Sequence, residues 1–241
     1  MSVTTEQTAR ELVLEIPGAA RVFEGSGIDY CCGGNQSLGQ ACSAASVRVE
    51  DVLKALDEAQ ESGKGVKQDI NWQSQPLTDL IAHIKNTHHK YTREEITRLS
   101  PLFEKVCSVH GERHPELLRI RTTFEGLAHE LTVHLMMEEL VLFPYVERVE
   151  ESMLQNERPL PAPFGTVQNP VAMMEHEHDS ADAALRALRT ASQGYVAPPD
   201  ACLSYQSLYR SLAELEADLH QHIHLENNIL FPRAIAMETA H

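Results

Sequence analysis

The sequence predicts an all-α protein, an antiparallel four-helix bundle preceded by a small helical domain. Aromatic residues are only 5% of the 241 residues and β-branched runs are scarce, which favours helices over strands. Proline stands at the start of four long stretches with apolar residues at three- to four-residue spacing, as is typical of helices. A polar, aperiodic stretch around residues 62–75 divides the chain.

The region before this divide, residues 1–65, is predicted to be a small domain of short helices. The helices are expected at about residues 5–15, 17–25, 36–46 and 48–61. Pro17 is expected in the first turn of the second helix, a position that proline favours. The stretch IDYCCGGN interrupts the helices as a turn, because Gly33 and Gly34 can adopt positive φ.

The region after the divide, residues 76–241, is predicted to form the bundle. The four long helices are expected at Pro76–Val109, at Pro115–Glu150, at Pro170–Ser192, and from Pro199 nearly to the C-terminus. Mostly short loops join them, which indicates that consecutive helices run antiparallel.

Composition and charge exclude several classes of partner. The formal net charge is −15 and no basic patch is present, so we expect no binding to nucleic acid or to an anionic membrane surface. The N-terminus does not have the pattern of a signal peptide, and no run of 18 apolar residues could span a membrane. The five cysteines are unevenly spaced and do not suggest a disulfide framework. We therefore expect a cytoplasmic protein.

The long helices contain an internal repeat. HLMMEELVLFP, residues 134–144, and HIHLENNILFP, residues 222–232, share the pattern H-x-x-x-E-x-x-x-L-F-P. His89 in the first long helix and His178 in the third repeat at a similar separation. The bundle is therefore predicted to be two copies of a helical hairpin, each contributing one histidine from one helix and a His/Glu pair from the other.

These side chains are predicted to converge on one buried metal site. Residues four apart lie on one helix face, so His134 with Glu138, and His222 with Glu226, can each offer an imidazole and a carboxylate to one point. Both pairs continue apolar stripes, where an unpaired carboxylate would be costly to bury. His178 lies on the apolar stripe of the third long helix.

In the first long helix the apolar spacing leaves two candidates open. His88 continues the stripe that contains Ile81 and Ile84, whereas His89 leads to Ile96 and Phe103. With either residue, the set has four imidazoles and two carboxylates. That number exceeds the needs of a tetrahedral zinc site and suits iron or manganese, and two carboxylates at one height can bridge a pair of ions. A di-iron centre is predicted.

The motifs H…H-x-x-x-E…EHD…H-x-x-x-ENNxLFP resemble the hemerythrin-like fold. With IDYCCGG ahead of them, the whole chain resembles the family of iron–sulfur cluster repair di-iron proteins. The resemblance implies His89 as the ligand in the first long helix, and two iron ions joined by oxo and carboxylate bridges. It also implies repair of iron–sulfur clusters damaged by oxidative or nitrosative stress, with damaged iron–sulfur proteins as partners in a bacterial cytoplasm.

The third long helix departs from the pattern of oxygen-carrying hemerythrins. Those proteins supply two histidines four residues apart, whereas here Met174 precedes His178 by four residues and Asp182 follows it by four. Fewer imidazoles leave a position open on the metal. This favours iron donation or nitric oxide chemistry over reversible oxygen carriage.

Other polar residues are predicted to have lesser roles. Six further histidines are expected to lie on the surface or to orient the ring of a ligand: His83, His88, His129, His176, His220 and His224. Glu139, Asn227 and Asn228 are predicted to cap or hydrogen bond rather than to bind metal, and Cys42, Cys107 and Cys202 to serve packing. Cys31-Cys32 has two interpretations: a glycine-rich structural turn, or a functional thiol pair that docks on a damaged cluster, receives iron or responds to redox state.

Three functions fit these predictions. A stress-response protein that supplies iron to damaged clusters is favoured, because only this function has an obvious use for the thiol pair. The alternatives are an enzyme that reduces nitric oxide and a module that only binds it. The sequence leaves open which clusters are served and the oligomeric state, a homodimer included. Because all six candidate ligands lie in residues 76–241, we expect removal of residues 1–65 to leave iron binding intact.

Overall fold

The computed structural model describes residues 3–16, 18–62, 70–155, 157 and 162–239. Every regular element within these residues is a helix, and the β-type pairing there is limited to isolated bridges at Thr8–Ser37 and Ala162–Gly165. The predicted all-α class is confirmed. Among the described helices, none combines the length and the apolar character that a membrane span requires.

The first region contains α1 (Ala9–Glu15), α2 (Ala19–Ser26), α3 (Leu38–Ala44) and α4 (Val49–Ser62). Two of them begin with a capping box, in which Thr8 pairs with Glu11 and Ser37 with Gln40. These caps satisfy backbone N–H groups that have no partner within the helix. Pro17, predicted to open α2, lies outside the described residues, as do residues 63–69 of the predicted divide.

A small apolar core joins these four helices. Leu12, Phe23, Leu38 and Leu56 are fully buried in it. Tyr30 is also buried, and its hydroxyl donates a hydrogen bond of 2.7 Å to Glu24. Burial raises the pKa of the Tyr30 hydroxyl far above its ordinary value, with the Glu24 carboxylate acting in the same direction. Cys42 packs in this core, as predicted.

The second region forms the four long helices, three of which include a π-helical segment. The first is α5 (Leu77–Ile84), π segment Lys85–His89 and α6 (Lys90–His110); the second is α7 (Glu116–Met137), π segment Glu138–Leu142 and α8 (Phe143–Leu154). The third is α9 (Gln168–Ala191), and the fourth is α10 (Leu203–Leu225), π segment Glu226–Leu230 and α11 (Phe231–Thr239). The predicted helices are present, but the sequence analysis did not predict the π segments.

The repeated Leu-Phe-Pro sequence explains two of the π segments. The backbone N–H of Phe143 donates to the carbonyl of Glu138, and that of Phe231 donates to the carbonyl of Glu226, in each case five residues back. Pro144 follows the first of these bonds. Proline has no N–H and its ring clashes with the carbonyl four residues earlier, so a regular α-helix cannot pass through this position without adjustment. The wider π turn provides that adjustment.

The chain divides into two compact units. The first is Met1–Gln75 with Ile223–Pro232, and the second is Pro76–His222 with Arg233–His241. Within the first unit, Arg10 donates to the carbonyl of Asn228 at 2.9 Å, and the Asn228 amide donates to the carbonyl of Tyr30 at 3.0 Å. The sequence analysis placed residues 223–232 in the bundle and gave no sign of this grouping.

Candidate metal centre

Four histidine rings meet in two pairs. The Nε2 atoms of His89 and His222 lie 3.1 Å apart, and the Nε2 atoms of His134 and His178 also lie 3.1 Å apart. All four side chains are buried. Because the four residues come from all four long helices, the bundle fold is what brings them together.

The Glu138 carboxylate faces both histidine pairs. Its Oε2 atom lies 3.4 Å from Nε2 of His89, and its Oε1 atom lies 3.4 Å from Nε2 of His134. The side chain is fully buried, and neither oxygen accepts a hydrogen bond from the described residues. A carboxylate that presents one oxygen to each histidine pair has the arrangement of a bridging ligand.

The six predicted residues form two groups that share both glutamates. One group is His89, Glu138, His222 and Glu226; the other is His134, Glu138, His178 and Glu226. All the potential ligand atoms within each group lie within 4.8 Å of one another. Each group therefore offers two imidazoles of its own and two carboxylates held in common, which is the composition of a site for two cations.

Carboxylates behind the rings determine where the ring protons lie. Nδ1 of His89 is 2.8 Å from Glu139 Oε1, and Nδ1 of His134 is 2.7 Å from Glu177 Oε2. A carboxylate accepts hydrogen bonds, so each Nδ1 donates its proton outward and the Nε2 lone pair faces the site. This is the tautomer that a metal ligand requires.

The spacing and the charge of these donors fit metal cations. Two nitrogens bound at a right angle to one cation at about 2.1 Å would lie about 3.0 Å apart, close to the observed 3.1 Å. Without a cation or a proton between them, facing lone pairs repel. Glu138 and Glu226 are both fully buried, and burying two carboxylates together is costly unless positive charge accompanies them. The residues present therefore fit a two-metal centre.

The carboxylate behind His89 is part of a longer chain of contacts. Arg93 donates a hydrogen bond of 2.9 Å to the same Oε1 atom of Glu139 that His89 contacts. Burial alone would raise the pKa of Glu139, but the hydrogen bonds from Arg93 and His89 outweigh burial and hold this pKa below its ordinary value. Glu139 is thus a charged acceptor behind the ring, in agreement with its predicted role as a hydrogen bonder.

The structure brings His89, not His88, into the metal groups. His88 is buried behind the site: its Nδ1 lies 3.0 Å from Asp218, and its ring stacks on the ring of His222 at a centroid distance of 5.7 Å. His129 and His176 are exposed. The other three histidines given lesser roles, His83, His220 and His224, are partly buried.

The third long helix contributes a single ring to the site. Met174 and Asp182, four residues to either side of His178, are buried but belong to neither metal group. Asp182 instead forms an ion pair with Arg186. Its other oxygen lies 3.7 Å from Nε2 of His220 on α10, so the carboxylate is engaged outside the metal groups.

Sequence reasoning missed two carboxylates beside the site, Glu177 and Asp218. Glu177 precedes His178 in the chain but contacts His134 across the α7–α9 interface. Asp218, on α10, contacts His88 on the first long helix. The acidic residue in the EHD motif was a signal for Glu177, although the histidine that it contacts could not be read from one helix alone.

Cys31 and Cys32 form a second potential metal group with Asp29. The Asp29 Oδ1 atom accepts hydrogen bonds from the backbone N–H groups of Cys31 at 3.1 Å and Cys32 at 2.9 Å. The two sulfurs are reduced and 3.9 Å apart, and the ligand atoms of the three residues lie within 4.8 Å of one another. Asn227 donates to the carbonyl of Cys31 at 3.2 Å. The turn is thus well anchored, and its thiols face a carboxylate.

Comparison with known families agrees with this fold and site. The model of the hemerythrin HHE cation binding domain matches residues 80–234, which include all six predicted ligands. The model of a domain of unknown function, DUF542, matches residues 5–60. The fold and the paired His/Glu groups therefore define a hemerythrin-type cation-binding protein with an additional N-terminal domain.

Similar proteins of known family identify the family of this chain more specifically. It is 36% identical over 236 residues to the iron–sulfur cluster repair protein YtfE of Escherichia coli, covering 97% of this chain and 98% of that protein. It is 34% identical over 230 residues to a probable iron–sulfur cluster repair protein of Haemophilus influenzae, covering 95% and 97% respectively. The chain belongs to the iron–sulfur cluster repair protein family, as the sequence motifs predicted.

Proposed function

We propose that this protein repairs iron–sulfur clusters damaged by oxidative or nitrosative stress, by supplying iron from a di-iron centre. The proposed ligands are His89, His134, Glu138, His178, His222 and Glu226. The observation that carries the proposal is the pair of buried His/Glu groups that share two carboxylates. The relatives' names, iron–sulfur cluster repair protein, support the proposed process.

The donor set suits iron that can leave the protein. Mixed imidazole and carboxylate ligands are typical of first-row metals, and iron bound here would supply an exchangeable, redox-active ion. Each group has two imidazoles besides the shared carboxylates, fewer protein ligands than an octahedral ion accepts. Solvent or a small molecule can therefore complete the coordination, and incomplete enclosure by protein ligands favours metal exchange.

The Asp29, Cys31 and Cys32 group is proposed as the receiving or docking element for damaged iron–sulfur proteins in the cytoplasm. Thiolates are the ligands that hold iron–sulfur clusters in proteins. Cys32 is only partly buried, and both sulfurs lie near one carboxylate. A structural turn alone would require the Asp29 hydrogen bonds but would not require two adjacent thiols.

Nitric oxide binding, or its reduction to nitrous oxide, is the second candidate function. The small number of imidazoles in each metal group favours it, because coordination positions not filled by protein can accept a diatomic ligand. Neither form of nitric oxide chemistry has an evident use for the Cys31-Cys32 pair.

The decisive experiment incubates the iron-loaded protein anaerobically with a dehydratase whose iron–sulfur cluster has been damaged. Iron transfer and recovered dehydratase activity are measured together. We expect Glu138→Ala to abolish both and to lower bound iron in both groups, since its carboxylate faces both histidine pairs. The melting temperature should fall as well, because metal binding stabilises only the folded state. His176→Ala, an exposed substitution on α9, is the matched control.

The Cys31→Ser/Cys32→Ser variant separates the candidate functions. Full iron content with lost repair would support a receiving role for the thiols. Unchanged repair would make the pair a structural turn. Nitric oxide consumption without any iron transfer by the wild-type protein would replace repair with the second candidate function.

A further inference from the structure

A cysteine and a histidine lie together far from the metal centre. Cys202 is exposed and immediately precedes α10, and its carbonyl accepts the backbone N–H of Gln206 at 3.0 Å. It therefore occupies the N-terminal cap position of a long helix. His222, on the same helix, lies about 30 Å away at about 1.5 Å per residue. Nothing in the metal centre uses this thiol.

His110 is the group that faces the thiol. It is the last residue of α6, is only 3% exposed, and places Nε2 at 3.2 Å from the Cys202 sulfur. Its Nδ1 atom is buried and has no hydrogen-bond partner among the described residues. Packing on Tyr205, at a ring-centroid distance of 5.4 Å, holds the ring in place. A buried imidazole whose sole described hydrogen-bond contact is a thiol requires an explanation beyond stability.

The remaining charged groups near the pair are engaged with one another. His114 contacts Glu116 at 3.0 Å and Asp200 at 3.1 Å, and Arg113 lies 3.4 Å from Asp200. His114 packs near His110, with ring centroids 6.3 Å apart. These contacts pair Glu116 and Asp200 with basic side chains, so the formal net charge of −15 on the whole chain is what sets the long-range field at the thiol. An approaching anion is therefore disfavoured, and a neutral or cationic molecule is not.

We propose that Cys202 and His110 form a nucleophile–base pair that undergoes reversible thiol–disulfide exchange with low-molecular-weight disulfides that lack negative charge. His110 Nε2 accepts the thiol proton, and the Cys202 sulfur attacks one sulfur of the disulfide. A bond between protein and ligand sulfur forms, and the disulfide's own S–S bond breaks. The departing thiolate takes the proton, so one disulfide and one thiol become one mixed disulfide and one thiol.

Two physical features support this assignment over a packing role. The sequence analysis predicted packing for Cys202, but an exposed thiol contributes little to a core, and that prediction is wrong. Cysteines at helix N-termini and beside histidine are the ones that react as thiolates, because the helix dipole and the imidazolium both stabilise the anion. Exposure gives a bulky disulfide access to the sulfur.

The test uses the full-length, metal-loaded protein and hydroxyethyl disulfide as the neutral probe. The rate of mixed-disulfide formation at each cysteine is followed at pH 6.5 by mass spectrometry of peptides. We expect Cys202 to react first, and His110→Gln to slow its reaction by about fivefold. Cys107, on the same helix as His110 but partly buried, is the internal reference and should stay slow in both proteins. Cationic cystamine should react faster than anionic oxidised glutathione, with the difference shrinking at high salt.

Two results would overturn the proposal. One is equal rates at Cys202 in the wild type and in His110→Gln. The other is faster reaction with oxidised glutathione than with cystamine. If His110→Gln unfolds, Cys42 and Cys107 will become reactive in that variant. In that case the test compares the wild-type protein with a free cysteine derivative. Cys202 of the wild type must then react faster at pH 6.5 than this derivative.

Discussion

At His89 and His134, a carboxylate behind the ring determines which nitrogen faces the metal centre. Glu139 and Glu177 accept hydrogen bonds from the Nδ1 atoms of these rings, at nitrogen–oxygen distances of 2.8 and 2.7 Å. The two carboxylates differ in their surroundings, because Arg93 also binds Glu139. Arg93 and the His89 ring thus share one acceptor, and changing that acceptor alters the basicity of the His89 ring from outside the candidate site.

This arrangement predicts that removing either carboxylate weakens metal binding without abolishing it. Glu139→Gln and Glu177→Gln keep a side chain of similar shape but remove the charge, so the affinity for iron should fall by about 10- to 100-fold while the fold is retained. Competition with a chelator measures the affinity. Glu175→Gln, an exposed neighbour on α9, is the control and should bind iron as the wild type does. Equal affinities in all four proteins would show that the two carboxylates do not tune the site.

At this scale the sequence predicted the residues that repeat along a single helix. His134 with Glu138 and His222 with Glu226 follow from spacing alone, because residues four apart share a helix face. Between His88 and His89 the apolar stripes did not decide, since a π segment ends at His89 and shifts the helical register there. The contact of Glu177 with His134 depends on two helices packing together, which no single-helix pattern contains.

Among the elements, the short helices of the first unit depend strongly on their ends. α1 and α3 have seven residues each, well below the length at which a helix is stable in water. Both start with a capping box, and the N-terminal capping residue Thr8 accepts the N–H of Glu11 at 3.1 Å. Capping and burial of a few apolar residues are therefore what maintain these helices.

Thr8→Ala should destabilise α1 by about 1 kcal/mol, the usual cost of losing a side-chain cap. Hydrogen exchange of the α1 amides measures this loss locally. Thr4→Ala removes a similar side chain from an exposed position that caps no helix, and it should leave the exchange rates unchanged. Equal protection of α1 in both variants would mean that packing alone holds the helix.

The π segments are the part of the helical structure that the sequence analysis did not predict. The Leu-Phe-Pro repeats contain a signal of irregularity that the sequence analysis did not use, since proline cannot continue a regular helix. Lys85–His89 has no proline within it or directly after it, and nothing in that stretch distinguishes a π turn from an α turn. All three segments contain a predicted ligand, His89, Glu138 or Glu226. Sequence patterning assumed a constant period, which these segments break.

For the whole molecule, the grouping of residues 223–232 with the first unit changes one expectation. From the sequence, removal of residues 1–65 was expected to leave iron binding intact. Glu226 lies within this segment, where Asn228 hydrogen bonds to Tyr30 and Arg10. Removing residues 1–65 deletes both of these partners and leaves buried polar groups of the segment without them.

We now expect the chain that lacks residues 1–65 to bind iron more weakly than the full-length protein. Iron per chain and the rate of iron loss to a chelator are the measurements. Asn228→Ala removes the Tyr30 contact within the intact chain and should show part of the same loss, whereas Asn86→Ala, an exposed change, should show none. Full iron retention in the shortened chain would restore the expectation drawn from the sequence.

The internal repeat has a consequence for how such a centre could arise. Exchanging the two hairpins maps His89 onto His178, His134 onto His222 and Glu138 onto Glu226, and so converts one metal group into the other. The two histidine pairs also have the same ring-centroid distance, 4.8 Å, as this exchange requires. One hairpin by itself completes neither group, but two identical copies related by a two-fold axis would complete both. Duplication of a single ancestral hairpin gene, followed by fusion, is therefore sufficient to produce all six side chains of the centre.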